Sequence, residues 1–115
     1  MPQYHKLVRD CIPDIIAPQG KKCTTKILEQ EEYIEQLRAK LREETAEYLE
    51  AGNDKDAAEE LADLLEVVSA LAEIHGLDDR ALETIRAQKA ERRGGFKRRI
   101  LLLQVEDETS CSKED

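Results

Sequence analysis

The sequence contains no Trp, one Phe and three Tyr. With so few aromatics, its 40% of hydrophobic residues are mainly Leu, Ile, Val and Ala, a set suited to long amphipathic helices and poorly suited to a β-sandwich. No stretch approaches the ~18 apolar residues of a membrane span. The opening MPQYHKLVRD also lacks the apolar run of a signal peptide, so a cytoplasmic address with no membrane partner is expected. Cysteine is scarce as well. Cys11, Cys23 and Cys111 are odd in number and show no CxxC or Cys/His ligand spacing, which argues against a disulfide framework and a zinc site.

Charged residues are abundant, at 38%, and the net charge of −8 is unevenly spread. Residues 29–66 hold 14 acidic and 4 basic side chains, whereas 86–99 hold 7 basic and 1 acidic. An acidic middle that concentrates cations is therefore followed by a basic segment suited to anions. That basic stretch has no interleaved aromatics and the whole chain is acidic, so a dedicated nucleic-acid binder is not indicated. At 115 residues the chain fits one thin-cored domain, taken as 1–105, with an acidic tail at 106–115 that lacks an apolar anchor and is expected to be disordered.

The periodicity predicts an all-α fold with short extended or strand segments near the two termini. Pro13 starts a short turn of helix reaching Ile16, and the Thr and Ile of Lys22–Leu28 predict a short strand. A first long helix is expected over about Gln30–Ala51, with Ile34, Leu37, Leu41 and Tyr48 on one face and Glu44 in the same stripe. Gly52 is read as its C-terminal cap and Asn53 or Asp54 as the next N-cap. A second helix, about Lys55–His75, places Ala57, Leu61, Leu64, Val68, Leu71 and His75 on one face and ends at Gly76. In that register His75 packs or complements the helix dipole. Leu65 and Val67 lie off the stripe, so a second apolar surface is expected to need a partner subunit, completing a four-helix bundle on oligomerisation. A third helix from Asp78 or Asp79 to Arg93 stops at Gly94-Gly95, and the apolar run in Phe96–Val105 predicts a buried strand.

The chemistry lies in carboxylates. Residues three apart share a helix face, so Glu44 with Glu47, and Glu60 with Asp63, form two claws. Glu47 lies five residues before Gly52 and Glu60 seven after Asn53, while Glu44 lies eight before and Asp63 ten after. In an antiparallel hairpin with a constant rise per residue, Glu47 is thus level with Glu60 and Glu44 with Asp63. Converging carboxylates repel unless a cation neutralises them. All-oxygen ligands favour Mg²⁺, or Mn²⁺ as a substitute, and Mg²⁺ points to phosphate chemistry. Solvated helix carboxylates that bind nothing are the plain alternative.

EExxE at Glu43–Glu47 followed by ExxD at Glu60–Asp63 resembles the MazG-like all-α nucleoside triphosphate pyrophosphohydrolases. The opening Tyr4–Ile16, the block Leu37–Glu44, the block Glu59–Val67 and Lys89 through Arg93-Gly94-Gly95-Phe96 are similar to one subgroup, so the resemblance covers about residues 4–104. It implies hydrolysis of a nucleoside triphosphate to the monophosphate and pyrophosphate, with Mg²⁺ on Glu44, Glu47, Glu60 and Asp63, in a homodimer or homotetramer that removes noncanonical nucleotides. Glu43 is the candidate for orienting the attacking water or acting as base. Lys89, Arg92, Arg93, Lys97 and Arg98 form the pool of phosphate contacts, Lys89 and Arg93 foremost, because cationic donors match phosphate oxygens. The resemblance adds His5, Lys6 and Arg9 from the N-terminal arm. Cys11 stands where that subgroup carries Lys. A non-catalytic helical oligomerisation module and a nucleotide-binding regulator are the competing readings. Mg²⁺ titration separates the first from the enzyme, and turnover separates the second.

Overall fold

A computed structural model describes residues 5–106 of the chain. Its elements, all helical among the described residues, are α1 (Ile12–Ile16), a short 3-10 turn (Ala17–Gln19), α2 (Gln30–Glu50), α3 (Asp54–Ile74) and α4 (Asp79–Arg93). The chain divides into two compact units, Met1–Leu77 and Asp78–Asp115. From residue 107 onward the expected acidic tail lies outside the described residues, as do Cys111 and Tyr4.

In the first unit α2 and α3 pack against each other as a hairpin. The turn between them is set by Asn53, whose side-chain carbonyl accepts the Asp56 N–H at 2.8 Å and so satisfies one of the free donors of the helix start. Gly52 does not act as the expected cap. Ala51 leaves α2 in an extended conformation (φ −63°, ψ 134°) and its N–H bonds the Tyr48 carbonyl, so no left-handed residue is required there. At the other end of α3 glycine is required: Gly76 has φ +83°, and Gly76 N–H to Glu73 and Leu77 N–H to Ala72, 3.0 and 2.9 Å, close a Schellman motif.

The buried stripe of α2 is the expected one, with Leu37 and Glu44 buried and Ile34 and Leu41 half-buried, although Tyr48 at its end is exposed. On α3 the expectation needs correction. Ala57, Glu60, Leu64, Val67, Leu71 and Ile74 are buried or half-buried, whereas Leu61 (47% exposed), Val68 and His75 face solvent. Val67, read as off the stripe, is buried, and His75 is the exposed C-cap of the helix and not a packed side chain. The reason is that α3 is apolar on two adjacent faces, and periodicity does not say which one meets the partner helix. Among the described residues only Leu37, Val67 and Ala72 are buried apolar side chains, so the core they form is thin.

Neither expected strand is present among the described residues. Residues 22–28 run without regular structure, with Ile27 at 95% exposure. Residues 96–105 begin in a turn and continue irregularly, and Phe96 and Leu101–Leu103 are exposed, not buried. Branched and apolar residues make a strand only where a neighbouring strand accepts the ladder, and neither segment is paired. In the second unit Asp78 N-caps α4 by accepting the Ala81 N–H at 2.8 Å, and Gly94 (φ +82°) ends it as expected, bonding the Ala90 carbonyl.

Candidate metal centre

The hairpin brings Glu44 of the α2 claw to both members of the α3 claw, while Glu47 is grouped only with Glu43 and Glu44. Oxygens of Glu44, Glu60 and Asp63 lie within 4.8 Å of one another, and so do oxygens of Glu43, Glu44 and Glu47, with Glu44 common to both groups. Glu44 occupies a position of the apolar stripe of α2, which is why it is buried at 6% exposure, while Glu60 and Asp63 on α3 are half-buried. Glu47 lies on the exposed side of the group.

Burial is the first cause of the electrostatics here, and crowding the second. Burial, a hydrogen bond to Glu44 and the charge of Glu47 push the Glu60 carboxyl up to about 7. Glu44 is raised too, by burial and then by the charges of Glu47 and Asp63, against the opposing pull of its hydrogen bond with Glu60 and of Lys40. A proton shared between Glu60 and Glu44 would relieve part of the repulsion between the two acids. Even so, Glu44 Oε1 and Glu60 Oε1 are buried without a hydrogen-bond partner. Buried orphan oxygens are costly, and a cation held by Glu44, Glu60 and Asp63 would relieve that cost.

Three cations line the same group. Lys40 lies 3.4 Å from Glu43 and 3.6 Å from Glu44, Lys6 lies 3.8 Å from Glu43, and Arg9 donates to Asp63 Oδ1. The five named carboxylates outnumber these three basic partners, so the site remains rich in acid. Lys40 had no assigned role in the sequence reading, although its spacing of three and four residues from Glu43 and Glu44 was available there. That Arg9 meets Asp63, 54 residues away, has no local signal.

The remaining candidates belong to the second unit. Lys89, Arg92 and Arg93 lie on one side of α4 at three- and four-residue spacing, and Lys97 and Arg98 lie in the turn after Gly94-Gly95; all five are exposed. Cys11 is the exposed N-cap residue of α1 and makes no side-chain capping bond.

A cradle of acidic side chains on a helical hairpin, able to hold a metal ion, is the class of site this fold defines. The phosphoribosyl-ATP pyrophosphohydrolase family matches residues 3–93, most of the chain and parts of both units, and the chain belongs to that family, part of the MazG-like nucleoside triphosphate pyrophosphohydrolase superfamily. Neither a curated protein nor a solved structure gives a significant match. The family implies a pyrophosphohydrolase, an enzyme that takes a phosphorylated nucleotide substrate and is typically metal-dependent. No helix among the described residues is long and apolar enough to cross a membrane.

Proposed function

We propose that the chain hydrolyses a nucleoside triphosphate to the monophosphate and pyrophosphate with Mg²⁺ as cofactor, Mn²⁺ substituting, and that it removes noncanonical nucleotides in the cytoplasm. The observation that carries this reading is the convergence of Glu44, Glu60 and Asp63 with two buried, unpartnered carboxylate oxygens. Glu44, Glu47, Glu60 and Asp63 would hold the ion. Once bound, Mg²⁺ supplies Lewis-acid neutralisation of phosphate charge and activation of water.

The chain's own residues supply position. Glu43, held between Lys40 and Lys6, orients the attacking water or accepts its proton. Lys89, Arg92, Arg93 and Lys97 bind the phosphates, with Lys6 and Arg9 contributing from the N-terminal arm. Residues 1–105 act as one catalytic domain. The thin core, together with Leu61, Leu65 and Val68 exposed on α3, supports a homodimer or homotetramer in which a second hairpin covers that face.

The family description favours a second substrate, phosphoribosyl-ATP, which is ATP carrying an added phosphoribosyl group and so presents the same triphosphate. A pyrophosphate-release screen over canonical and modified nucleoside triphosphates and phosphoribosyl-ATP, with Mg²⁺, tests both. Release from phosphoribosyl-ATP alone would replace the house-cleaning reading, and release from none would overturn the enzyme.

A further inference from the structure

We infer that Arg9 is an exchangeable counter-ion of the site, holding Asp63 while no divalent cation is bound and passing to a substrate phosphate once the cation takes Asp63. The inference rests on the metal reading above and adds to it an order of events and a role for one side chain.

Arg9 belongs to an irregular segment before α1, yet its guanidinium reaches Asp63 on α3. Asp63 is also one of the three carboxylates whose oxygens converge with those of Glu44 and Glu60. A divalent cation and a guanidinium are of like charge, so both cannot hold the same carboxylate closely without repulsion. Which one leaves is decided by exposure. The Arg9 side chain is 53% exposed and that of Asp63 40%, so the pair is a rim ion pair of the weak, water-screened kind, easily exchanged.

The displaced guanidinium does not go far. The Arg9 carbonyl accepts the Ile12 N–H at 3.0 Å, which ties its backbone to the start of α1, while more than half of its side chain is exposed to solvent. The released fork of donors is then tethered beside a bound cation, where the anionic oxygens of a polyphosphate bound to that cation would lie. Arg suits this because its planar guanidinium bonds carboxylate and phosphate with the same two-pronged geometry. Metal alone weakens the hold of Arg9 on Asp63 through like-charge repulsion, whereas metal with polyphosphate gives Arg9 a new partner, so the two ligands bind with positive coupling. A purely structural Arg9–Asp63 pair predicts no such coupling through Arg9.

The test compares wild type, Arg9→Ala and Arg9→Lys by calorimetric titration with Mg²⁺ alone, and with inorganic triphosphate at saturating Mg²⁺ and in EDTA. Circular dichroism verifies that helicity is retained. Arg9→Ala is expected to bind Mg²⁺ alone roughly threefold more tightly, having lost an exposed competitor. It should bind triphosphate at saturating Mg²⁺ about fivefold or more weakly, with the coupling reduced accordingly. Arg9→Lys should restore the competition with Mg²⁺ and only part of the triphosphate affinity. Unchanged or weaker Mg²⁺ binding by Arg9→Ala, or unchanged triphosphate affinity, overturns the inference while leaving the metal centre standing. Absence of any Mg²⁺ binding in wild type overturns the metal centre itself, and the inference with it.

Discussion

The hairpin Gln30–Ile74 and the segment from Asp79 to residue 106 use charge in opposite ways. In the hairpin, carboxylates are drawn inward: Glu44 is buried in an apolar stripe, and Glu60 and Asp63 are half-buried against it. In the second segment the basic side chains Lys89, Arg92, Arg93, Lys97 and Arg98 are exposed, and so are the apolar residues Ile100–Leu103 beside them. Desolvated acids acquire raised pKa values and orphan oxygens, hence a demand for a cation. Solvated bases stay charged at little cost and suit a ligand that arrives with its own negative charge. The difference between the regions is one of burial more than of residue type.

The sharpest way to break this comparison is to remove the demand. Glu47→Gln and Asp63→Asn should each lower pyrophosphate release by about 100-fold or more, given that even groups supporting a metal's ligands are worth about 10–100-fold. Helicity should persist, and metal-free Glu47→Gln should melt no lower than wild type, because a like charge has been removed, while Asp63→Asn also gives up the exposed, weak pair with Arg9. Unchanged pyrophosphate release by both variants would end the metal assignment.

On the basic side, Lys89→Ala and Arg93→Ala should raise KM by about tenfold, the order of one charge-assisted hydrogen bond, and leave Mg²⁺ affinity unaltered. Wild-type KM and kcat in both variants would reduce the basic segment to a surface pattern. Between these effects and the next lies the exposed α3 face. Leu65→Lys at that face, where Leu65 is 69% exposed in the single chain, should weaken self-association by about tenfold in sedimentation experiments, equivalent to about 1.4 kcal/mol. A wild type that is monomeric at micromolar concentration and fully active would contradict the oligomer.

The smallest expected effect is in pH. With Glu60 raised to about 7 from an ordinary value of 4.5, the folded protein keeps between those values a proton that the unfolded chain has released. Folding stability of the metal-free protein should therefore fall as pH rises through that window and level off above it. Mg²⁺ should stabilise the protein more at pH 8 than at pH 5, since at the lower pH it must displace the proton. Melting curves in EDTA that rise from pH 5 to pH 8, with no larger Mg²⁺ effect at pH 8, would show that the acids are not coupled as described.

The limits of α2, α3 and α4 were legible to within about a residue because Asn53, Gly76, Asp78 and Gly94 are local signals whose side chains or backbone act on the next few residues. That Glu44 lies near Glu60 and Asp63 was legible for a related reason: a short turn and a constant rise per residue convert sequence offset into height. The α3 face was not. Leu61 and Val67 are equally apolar, and burial of one over the other depends on where α2 lies, which no local spacing records. The two expected strands failed on the same ground, since a ladder needs a partner that a propensity cannot supply.

By itself, then, the order of residues determined the helices, their caps, the hairpin and the acid-rich level within it, all consequences of interactions a few residues long or of rigid helical geometry. Tertiary structure alone decided that Val67 and not Leu61 packs inside, that two carboxylate oxygens are left buried without partners, and that Arg9 reaches Asp63. Each of these depends on which surfaces exclude water together, a property of packed elements that no single element possesses.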